Sequence, residues 1–528
     1  MKRGTKENGE IIMDVQEKVS KLVRYCGQYY AHGFMMDERN TDHAFNVTLA
    51  EEIEIREKIE NIKVILLTGE AGDGKTRLLR NIKALLEKYH FSDPCYDFSA
   101  LMDDEKSNIL ERLRKILDGV ADERLIILAN VGIFTQSVIK FDFELMEKLT
   151  SEREDVFLCN FEKRNLAEGK EEFKEIIESF LQCDLNCSNS TCPCYTNCAY
   201  RENIKKILQP SGLNAVRTIC DAIYLTGGHI TFRELLSLLA YIITFGQDCA
   251  ERQLFIKNGG DIKDKLYYNV FCKTDDILLR KVATMDPSLK RGEIFTGFVD
   301  KIDYVRYMRN LFFEQEEPNK QYEMLNVDYL IDFYQVLQYM NTSPYYYDTI
   351  QDRNPILQKL KKGISKVKSR GRSDTGLIVT DTPFILGNRI RTEFMVMQDI
   401  TMVWHRYDLQ FGNPNTSANK FWNRFYLSYI PDEGNQLISL LIDYQQFCYL
   451  MMCSEDYFLN RNEVNVEEYA ISAFYRKILA DRSKAYDAIV IKFGEKDEKT
   501  CDFSLTIHFS KDLFYSNIKQ TIRLRREG

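Results

Sequence analysis

Short apolar runs alternate with amphipathic helical patterns in the first third of the chain. Runs with the length and continuity of strands buried on both faces of a sheet occur at Val64–Leu67, Tyr96–Phe98, Leu125–Ala129 and Val156–Cys159. Between them, segments 75–88 and 104–117 carry apolar residues at helical spacing. This alternation predicts a mainly parallel sheet covered by helices, with ligands bound beyond the carboxyl ends of the strands.

The remaining pattern divides the chain further. We predict an α/β protein with an N-terminal helical arm (1–60), an α/β core with a cysteine-rich insertion at 183–198 (61–200), a helical lid region (201–345) and a mixed α+β C-terminal domain (346–528). In the last domain, strand patterns occur at Gly376–Val379 and at Ala488–Phe493, which we expect to pair across a charged turn with Phe503–His508.

The turn after the first apolar run has the full pattern of a phosphate-binding loop. It reads Gly69-Glu70-Ala71-Gly72-Asp73-Gly74-Lys75-Thr76, and Arg77 follows. Such glycines let successive backbone N–H groups point at the β- and γ-phosphates, while the lysine supplies positive charge and the threonine hydroxyl coordinates Mg²⁺. Because the motif lies between a strand and a helix, it predicts a purine nucleoside triphosphate site, most simply for ATP with Mg²⁺. The fold expected is a P-loop NTPase of AAA+ or STAND-like type.

The second motif of such proteins is altered here. Their next strand normally ends in an Asp that holds Mg²⁺ through water, followed by a Glu that acts as base, but this chain has Asn130 and Val131. An amide can hydrogen-bond a metal-bound water but cannot accept a proton as a carboxylate does. Asp97, at the end of the second predicted strand, could stand in, and a turn or cap role is an equal alternative. The pattern therefore supports ATP binding better than hydrolysis.

Two further residues fit a catalytic or sensing role. Asn160 ends the fourth predicted strand, where it could orient an attacking water, although a plain strand-end turn explains it equally well. Arg233 follows Thr231, which forms a predicted capping box with Glu234. A cation there could reach the γ-phosphate from a helical lid, and a solvent-facing arginine is the alternative. His229 we interpret as structural.

Five of the 14 cysteines crowd one short segment: Cys183, Cys187, Cys192, Cys194 and Cys198. Four thiolates can close a tetrahedral zinc site, for which we prefer Cys187, Cys192, Cys194 and Cys198. An iron–sulfur cluster and unligated thiols are the alternatives. Because four thiolates leave no open position, such a site would pin an insertion that lacks a core of its own.

Charge and hydropathy limit the functional classes. With a net charge of -8, the chain is not expected to coat nucleic acid indiscriminately. The stretch Lys359–Arg372 has seven positive charges and no acid, so it could contact DNA phosphates or form a solvated linker. The first ten residues are polar, and no apolar run approaches about 18 residues. We therefore expect a cytoplasmic protein without a membrane span.

The combination resembles the ATPase component of DNA phosphorothioation-dependent restriction systems, the DptF-type proteins of bacterial anti-phage defence. The resemblance rests on the phosphate loop, on Leu128-Ala-Asn-Val-Gly-Ile-Phe134, on Cys192-Pro-Cys-Tyr-Thr-Asn-Cys198 and on Ile230-Thr-Phe-Arg-Glu-Leu235. It covers roughly residues 60–250 and carries over Lys75, Thr76 and Asn130. It implies an intracellular ATPase that works with partner proteins to restrict DNA lacking a backbone modification. We also expect the protein to form an oligomer.

Three functional hypotheses follow. The first is an ATPase subunit of a DNA-directed defence complex. The second is a nucleotide-gated assembly switch, with little or no hydrolysis, which the residues at positions 130 and 131 favour. The third, a small-molecule kinase, shares the phosphate loop but leaves the helical lid, the cysteine segment and the large C-terminal region unexplained. No cluster of Asp, Glu and Lys indicates a two-metal nuclease.

Overall fold

A computed structural model describes residues 6–7, 10–11, 14–26, 47–150, 153–260, 267–272, 276–290, 300–342, 354–369, 377–378, 384–386, 390–396, 402–406, 423–429, 438–455, 466–481, 488–493, 503–511 and 518–525. These form two compact units, and among the described residues the boundary falls between Leu330 and Ile331. The predicted arm, core and most of the lid region lie in the first unit.

Fourteen strands are present in the described residues. In chain order they are β1 (Lys6–Glu7), β2 (Glu10–Ile11), β3 (Val64–Thr68), β4 (Leu125–Ala129), β5 (Val156–Asn160), β6 (Leu377–Ile378), β7 (Phe384–Leu386), β8 (Ile390–Val396), β9 (Met402–Arg406), β10 (Phe425–Tyr429), β11 (Ile438–Ile442), β12 (Ala488–Phe493), β13 (Phe503–Lys511) and β14 (Ile518–Arg525).

The α-helices of the first unit's described part are α1 (Val15–Val23), α2 (Ala50–Lys58), α3 (Lys75–Asn81), α4 (Lys83–Lys88), α5 (Asp103–Leu117), α6 (Val131–Phe141), α7 (Phe143–Thr150), α8 (Lys170–Leu181), α9 (Ala199–Ile207), α10 (Pro210–Leu225), α11 (Phe232–Thr244), α12 (Cys249–Lys257), α13 (Ile277–Thr284), α14 (Lys301–Glu314) and α15 (Pro318–Met324). At the boundary and beyond it lie α16 (Leu330–Thr342), α17 (Pro355–Ser369), α18 (Tyr444–Ser454) and α19 (Val466–Asp481).

A three-stranded parallel sheet forms the centre of the first unit. Its order is β4-β3-β5, and every residue of the three strands is buried. Continuous apolar runs form such strands because helices cover both faces of the sheet. One face packs against α5 and α6 through a cluster that includes Leu66, Leu113 and Phe134. The α/β class predicted from the sequence is therefore present, and this architecture is compatible with a phosphate-loop fold.

Two predicted elements of this unit are wrong in detail. The predicted strand Tyr96–Phe98 is absent, because Asp97 caps a short 3₁₀ turn at Phe98–Ala100, and only isolated bridges such as Cys95 to Ile127 extend the sheet there. The single helix predicted over 75–88 is two helices, since the backbone leaves helical geometry at Ile82.

The second unit contains antiparallel sheets. One has the order β14-β13-β12-β8-β6, with β7 also paired to β8, and the other has the order β11-β10-β9. The predicted pairing of Ala488–Phe493 with Phe503–His508 is confirmed, with Ala488 opposite His508 and Phe493 opposite Phe503. Of the predicted strand Gly376–Val379, Leu377 and Ile378 are in β6, and the flanking residues lie outside the described ranges.

The basic stretch Lys359–Arg372 is helical over its described part, which ends at Ser369 within α17. Leu360 and Ile364 are buried, and the backbone of Gly363 packs against that of Leu450 in α18. Lys366 is buried as well, and Lys359 pairs with Glu455 at 3.3 Å. The expectation of a solvated linker is therefore wrong for this part, in which Lys359 and Lys366 are among the cations engaged by the protein.

In the part of the chain that the structure describes, no helix combines the length and the apolar character needed to cross a membrane.

Candidate nucleotide-binding site

The phosphate loop leaves the sheet from its central strand. Thr68, the last residue of β3, lies level with Ala129 at the end of β4 and with Asn160 at the end of β5. The N–H of Gly69 donates to the carbonyl of Ala129 at 3.1 Å, which fixes where the loop begins. The loop therefore lies at the carboxyl edge of the sheet, between two neighbouring strand ends, as ligand sites of parallel sheets do.

Backbone geometry in the loop requires glycine. Gly69 and Gly72 have φ angles of 148° and 102°, which side chains with a Cβ rarely adopt. A Cβ at Gly69 would lie 2.5 Å from a carboxylate oxygen of Asp73, and a Cβ at Gly72 would lie 2.9 Å from the Cβ of Arg233. The loop is thus a tight curl, and its outer surface contacts Arg233 in α11, the helix that we call the lid helix.

The Lys75 ammonium lies across the curled loop. Its Nζ donates to the carbonyl oxygens of Gly69 at 2.9 Å and Glu70 at 2.6 Å. Burial lowers the pKa of Lys75, and the negative charges of Asp73, then Glu162, Asp97 and Glu70, act in the opposite direction.

The other predicted loop residues differ in how far they are exposed to solvent. Glu70, Ala71 and Thr76 are exposed, so the Thr76 hydroxyl is accessible to a metal ion. The Arg77 guanidinium instead donates to the carbonyl of Val47 at 3.3 Å. Burial lowers the pKa of Arg77 to about 10. In this structure Arg77 therefore secures the N-terminal arm rather than extending the loop.

The lid helix α11 begins directly on the loop. The backbone N–H of Arg233 donates to the carbonyl of Gly72 at 3.3 Å, and the ring of Phe232 lies against Gly74. The predicted capping box is confirmed, because Thr231 accepts from the N–H of Glu234 while the Glu234 carboxylate accepts from the N–H of Thr231. The sequence prediction therefore identified the lid segment that contacts the loop.

His229 links the same lid to Asp73, which the sequence analysis missed. Its Nε2 lies 2.8 Å from one carboxylate oxygen of Asp73, whose other oxygen accepts from the N–H of Glu70 at 2.6 Å. Asp73 is only 3% exposed, so its negative charge is satisfied by these two groups inside the loop. Burial lowers the pKa of His229, but the hydrogen bond and charge of Asp73, with Glu70 and Glu234, outweigh burial and raise it.

A pH dependence of stability follows from this contact. Because the folded pKa of His229 is raised, its stabilising contribution is complete below the unfolded pKa of about 6.5 and is lost as pH rises through the folded pKa. We expect the free energy of unfolding to fall with pH just above this value, and to fall less steeply in His229→Gln. Urea unfolding between pH 6 and 8 measures both slopes. His90→Gln, at an exposed position, is the control and should keep the wild-type profile; identical slopes for all three proteins would contradict the contact.

The fit between lid and loop gives a second prediction. Gly72→Ala combines an unfavourable φ with a collision at the lid, whereas Gly119→Ala has a φ of 71° and no heavy atom within 4 Å. The glycine conformation alone costs about 1–2 kcal/mol. We expect Gly72→Ala to destabilise by clearly more than Gly119→Ala and to weaken ATP binding about tenfold or more. Equal destabilisation with unchanged ATP affinity would mean that the lid does not rest on the loop. Chemical unfolding and calorimetric titration provide the two measurements.

Asn130 and Asp97 both act as caps in the structure. The Asn130 side chain accepts from the N–H groups of Gly132 and Ile133 at the start of α6. Oδ1 of Asp97 accepts from the N–H groups of Ser99 and Ala100. The cap alternative stated for Asp97 is therefore realised, although its charge still acts on Lys75.

Asn160 lies where the sequence predicts, at the end of β5 beside the loop. It is 2% exposed, and its Oδ1 accepts from the N–H of Glu162 at 3.1 Å in the 3₁₀ turn Phe161–Lys163. Asn160 therefore caps a strand-end turn and also lies beside the loop, as the two alternatives for this residue expected.

Glu162 is a carboxylate near the loop that the sequence analysis missed. It is half-buried, and its charge acts on the Lys75 ammonium. Burial raises the pKa of Glu162, Glu70 raises it further, and His229 lowers it. A partly desolvated carboxylate with a raised pKa has the properties of a general base. The available signal was its position two residues after a strand that ends at the loop.

A buried ion cluster joins the N-terminal arm to this edge. Arg164 is 3.3 Å from Glu51 of α2 and also pairs with Glu172 of α8, while its guanidinium lies over the ring of Phe232. Burial raises the pKa of the fully buried Glu51, and the Arg164 charge opposes that shift. The arm, the core and the lid therefore share one charged contact immediately beside the loop.

Four of the five clustered cysteines line one cavity, and the structure adds another. Cys187, Cys192, Cys194 and Cys198 line it together with Cys249, the first residue of α12. Burial raises the pKa of Cys249 to about 12, and the charges of Cys198, Cys187 and Cys192 raise it further. Cys183, which was left out of the preferred zinc set, does not line this cavity.

The preferred zinc set is not assembled in the structure. Among the described residues, which include all five clustered cysteines and Cys249, no group of three or more Cys, His, Asp and Glu side chains is arranged to hold a metal ion. Sequence spacing alone missed Cys249, because it lies 51 positions beyond Cys198 and only the packing of α12 brings it to the loop.

Comparison with family models, with curated proteins and with solved structures returns no match for this chain.

Proposed function

We propose that the chain is a P-loop NTPase of AAA+ or STAND-like type that binds ATP with Mg²⁺ through residues 69–76. The observation that carries the proposal is the glycine curl at the carboxyl edge of a parallel sheet with the Lys75 ammonium held across it. A curl of this kind presents backbone N–H groups to a polyphosphate, and the lysine adds the point charge. The exposed Thr76 hydroxyl is the group that would coordinate Mg²⁺.

Hydrolysis, in this proposal, depends on Glu162 rather than on the position after β4. Asn130 brings no negative charge and Asp97 is committed to two backbone N–H groups, whereas Glu162 is half-buried, has a raised pKa and acts through its charge on Lys75. A carboxylate in that position accepts the proton of an attacking water, and Asn160 orients the same water through its amide. Lys75 stabilises the charge that develops on the phosphate oxygens.

The lid couples the nucleotide to the rest of the first unit. Arg233 starts α11 beside Gly72, and His229 pairs with Asp73, so movement of the loop on ATP binding acts directly on the start of the lid helix. Arg233 then senses the γ-phosphate. We expect ATP and ADP to protect the His229–Arg233 segment to different extents.

The biological setting proposed is a bacterial DNA restriction or anti-phage defence complex, in which the chain is the ATP-binding subunit within a cytoplasmic oligomer. Support comes from the sequence resemblance at 128–134, 192–198 and 230–235. This setting predicts that the rate of ATP hydrolysis rises when DNA or partner subunits are added. Direct DNA contact is proposed through Lys359–Arg372, in which Lys359 also pairs with Glu455 and Lys366 is buried.

Calorimetric titration of the full chain with ATP, ADP and AMP, each with Mg²⁺, tests the proposed function. We expect one nucleotide per chain and an order of affinity in which AMP is weakest, because the loop contacts the β- and γ-phosphates. Equal affinity for AMP and ATP would contradict recognition through the loop.

A second candidate is the nucleotide-gated assembly switch with little or no hydrolysis. The observation that favours it is the Asn130 cap, which occupies the usual position of the metal-binding carboxylate. Light scattering with ATP and with ADP, beside a phosphate-release assay, separates the two. Assembly on ATP without phosphate release supports the switch, and steady release supports the ATPase.

A further inference from the structure

The chain directly after Glu162 is buried although it has no regular structure. Residues 164–169, all of which the structure describes, form neither helix nor strand between the 3₁₀ turn Phe161–Lys163 and α8. Residues 164–167 are nevertheless buried. Loops usually run over the surface, because a buried backbone needs hydrogen-bond partners that irregular structure does not supply. Residues 163–167, which we call the strap, must therefore receive partners from another element.

Helix α10 supplies those partners from one of its faces. Arg217, Asp221 and Tyr224 are four and three positions apart, so their side chains lie on one stripe of the helix. The hydroxyl of Tyr224 donates to the carbonyl of Lys163 at 3.0 Å, the side-chain amide of Asn165 donates to Oδ1 of Asp221 at 2.6 Å, and Nε of Arg217 donates to the carbonyl of Ala167 at 2.6 Å. The strap is therefore fastened to α10 along its length, with the two segments running in opposite directions.

Asp221 is the central residue of this stripe and is only 2% exposed. Its second carboxylate oxygen accepts from the hydroxyl of Tyr322 in α15. The side-chain oxygen of Asn165 in turn accepts from the N–H of Ala167 at 3.0 Å. A buried network whose hydrogen bonds are made favours a single arrangement of the groups that it joins. The strap is therefore held in one conformation by two helices.

The strap fixes the turn that carries Glu162. Asn160 caps the start of this 3₁₀ turn, and Tyr224 holds the carbonyl of Lys163 at its end. The backbone of Glu162 is thus held from both sides. A general base must lie within hydrogen-bond reach of the water that it activates, and a displacement of about 1 Å can cost about 100-fold in rate. The contacts of α10 therefore bear on catalysis through the position of the Glu162 carboxylate.

We propose that Arg217, Asp221 and Tyr224 are positioning residues, which hold the Glu162 turn against the phosphate loop by means of the strap. The role assigned to them rests on the proposed function, in which Glu162 is the base of ATP hydrolysis. All three belong to the helical region that follows the α/β core, so this region sets the geometry of the base as well as contacting the loop through α11.

Tyr224→Phe removes one hydroxyl and leaves the buried ring in place. We expect kcat for ATP hydrolysis to fall about tenfold or more, because the base is displaced. We expect KM for ATP to change less than about twofold, because the nucleotide still binds the loop. Phosphate release measured over a range of ATP concentrations gives both values.

The matched control is Tyr200→Phe. The Tyr200 hydroxyl is also buried and donates to two backbone carbonyls, those of Gln247 and Asp248. Tyr200 lies in α9, directly after the cysteine loop (residues 183–198), and the two carbonyls follow the far end of α11, a helix of 13 residues or about 20 Å. This variant loses the same kind of hydrogen bond away from the strap, so we expect wild-type kcat.

Combining Tyr224→Phe with Glu162→Gln separates a positioning role from a merely structural one. If Tyr224 acts through Glu162, the double variant should hydrolyse ATP at the rate of Glu162→Gln alone. Losses that multiply, or wild-type kcat in a folded Tyr224→Phe protein, would overturn the positioning role by itself. An unchanged rate in Glu162→Gln, or no hydrolysis by the wild type, would instead overturn the proposed base, and the positioning role with it.

Hydrogen–deuterium exchange of the wild-type protein covers the case in which Tyr224→Phe fails to fold. The amides of Arg164, Ala167 and Glu168 are hydrogen-bonded within the segment. We expect them to exchange far more slowly than the same amides in an unstructured peptide, because α10 holds the strap closed. Exchange at the rate of an unstructured peptide would show that α10 does not hold the strap, which would overturn the proposal.

Discussion

Replacing Lys75 with alanine is expected to weaken ATP binding about 100-fold, a loss of about 2.8 kcal/mol. The substitution removes the ammonium that spans the carbonyls of Gly69 and Glu70 and that would otherwise meet the β- and γ-phosphates. Charge-assisted hydrogen bonds contribute about 1.5–3 kcal/mol each, so the loss of one or two of them accounts for the effect. Equilibrium dialysis with labelled ATP measures it.

The matched control is Lys83→Ala, in which the lost ammonium belongs to a 74%-exposed side chain that pairs with Glu87 on the surface of α4. We expect this variant to bind ATP as the wild type does. A circular dichroism spectrum equal to that of the wild type is required of Lys75→Ala, so that lost affinity is not lost folding. Wild-type affinity in a folded Lys75→Ala protein would show that the phosphate loop is not the binding site.

Glu162→Gln is expected to lower the rate of ATP hydrolysis about 100-fold while ATP affinity changes less than about threefold. The substitution keeps the shape of the side chain but removes its ability to accept a proton, and general base catalysis contributes about 10²–10⁴-fold. A phosphate-release assay at saturating ATP, paired with a binding titration, gives both quantities. Glu171→Gln, an exposed position in the first turn of α8, is the control and should hydrolyse ATP normally.

Asp97→Asn discriminates between the two candidate carboxylates. Because Asp97 caps a 3₁₀ turn, we expect this variant to lose up to about 1 kcal/mol of stability and to keep most of its hydrolysis rate. The reverse result, with Asp97→Asn inactive and Glu162→Gln active, would return the base to the position suggested by the sequence. If the wild-type protein itself releases no phosphate, the assembly-switch alternative is favoured instead.

Local patterns were sufficient to predict the elements that hold the loop. The buried strands β3, β4 and β5, the helix over 104–117 and the Thr231–Glu234 capping box follow from apolar runs, periodicity and cap chemistry, which act over a few residues. The antiparallel pair β12–β13 was predictable for the same reason, since only nine residues separate the two strand patterns along the sequence.

Contacts between distant segments could not be predicted in this way. Glu162, His229 and Cys249 gain their roles only when the fold brings them to residues far along the chain. His229 was interpreted as structural because a lone histidine beside glycines gives no sign of a buried aspartate 156 positions away. The basic stretch was misread as a linker for a related reason, because its charges obscured the apolar face that packs on α18.

Binding of a triphosphate at residues 69–76 is tested most directly by hydrogen–deuterium exchange, which reports on the backbone amides of these residues themselves. With saturating ATP and Mg²⁺, we expect slowed exchange of the loop amides and of the 229–235 segment against the loop, and unchanged exchange in the distant cysteine loop. If saturating ATP leaves the exchange of residues 69–76 unchanged, the claim is contradicted.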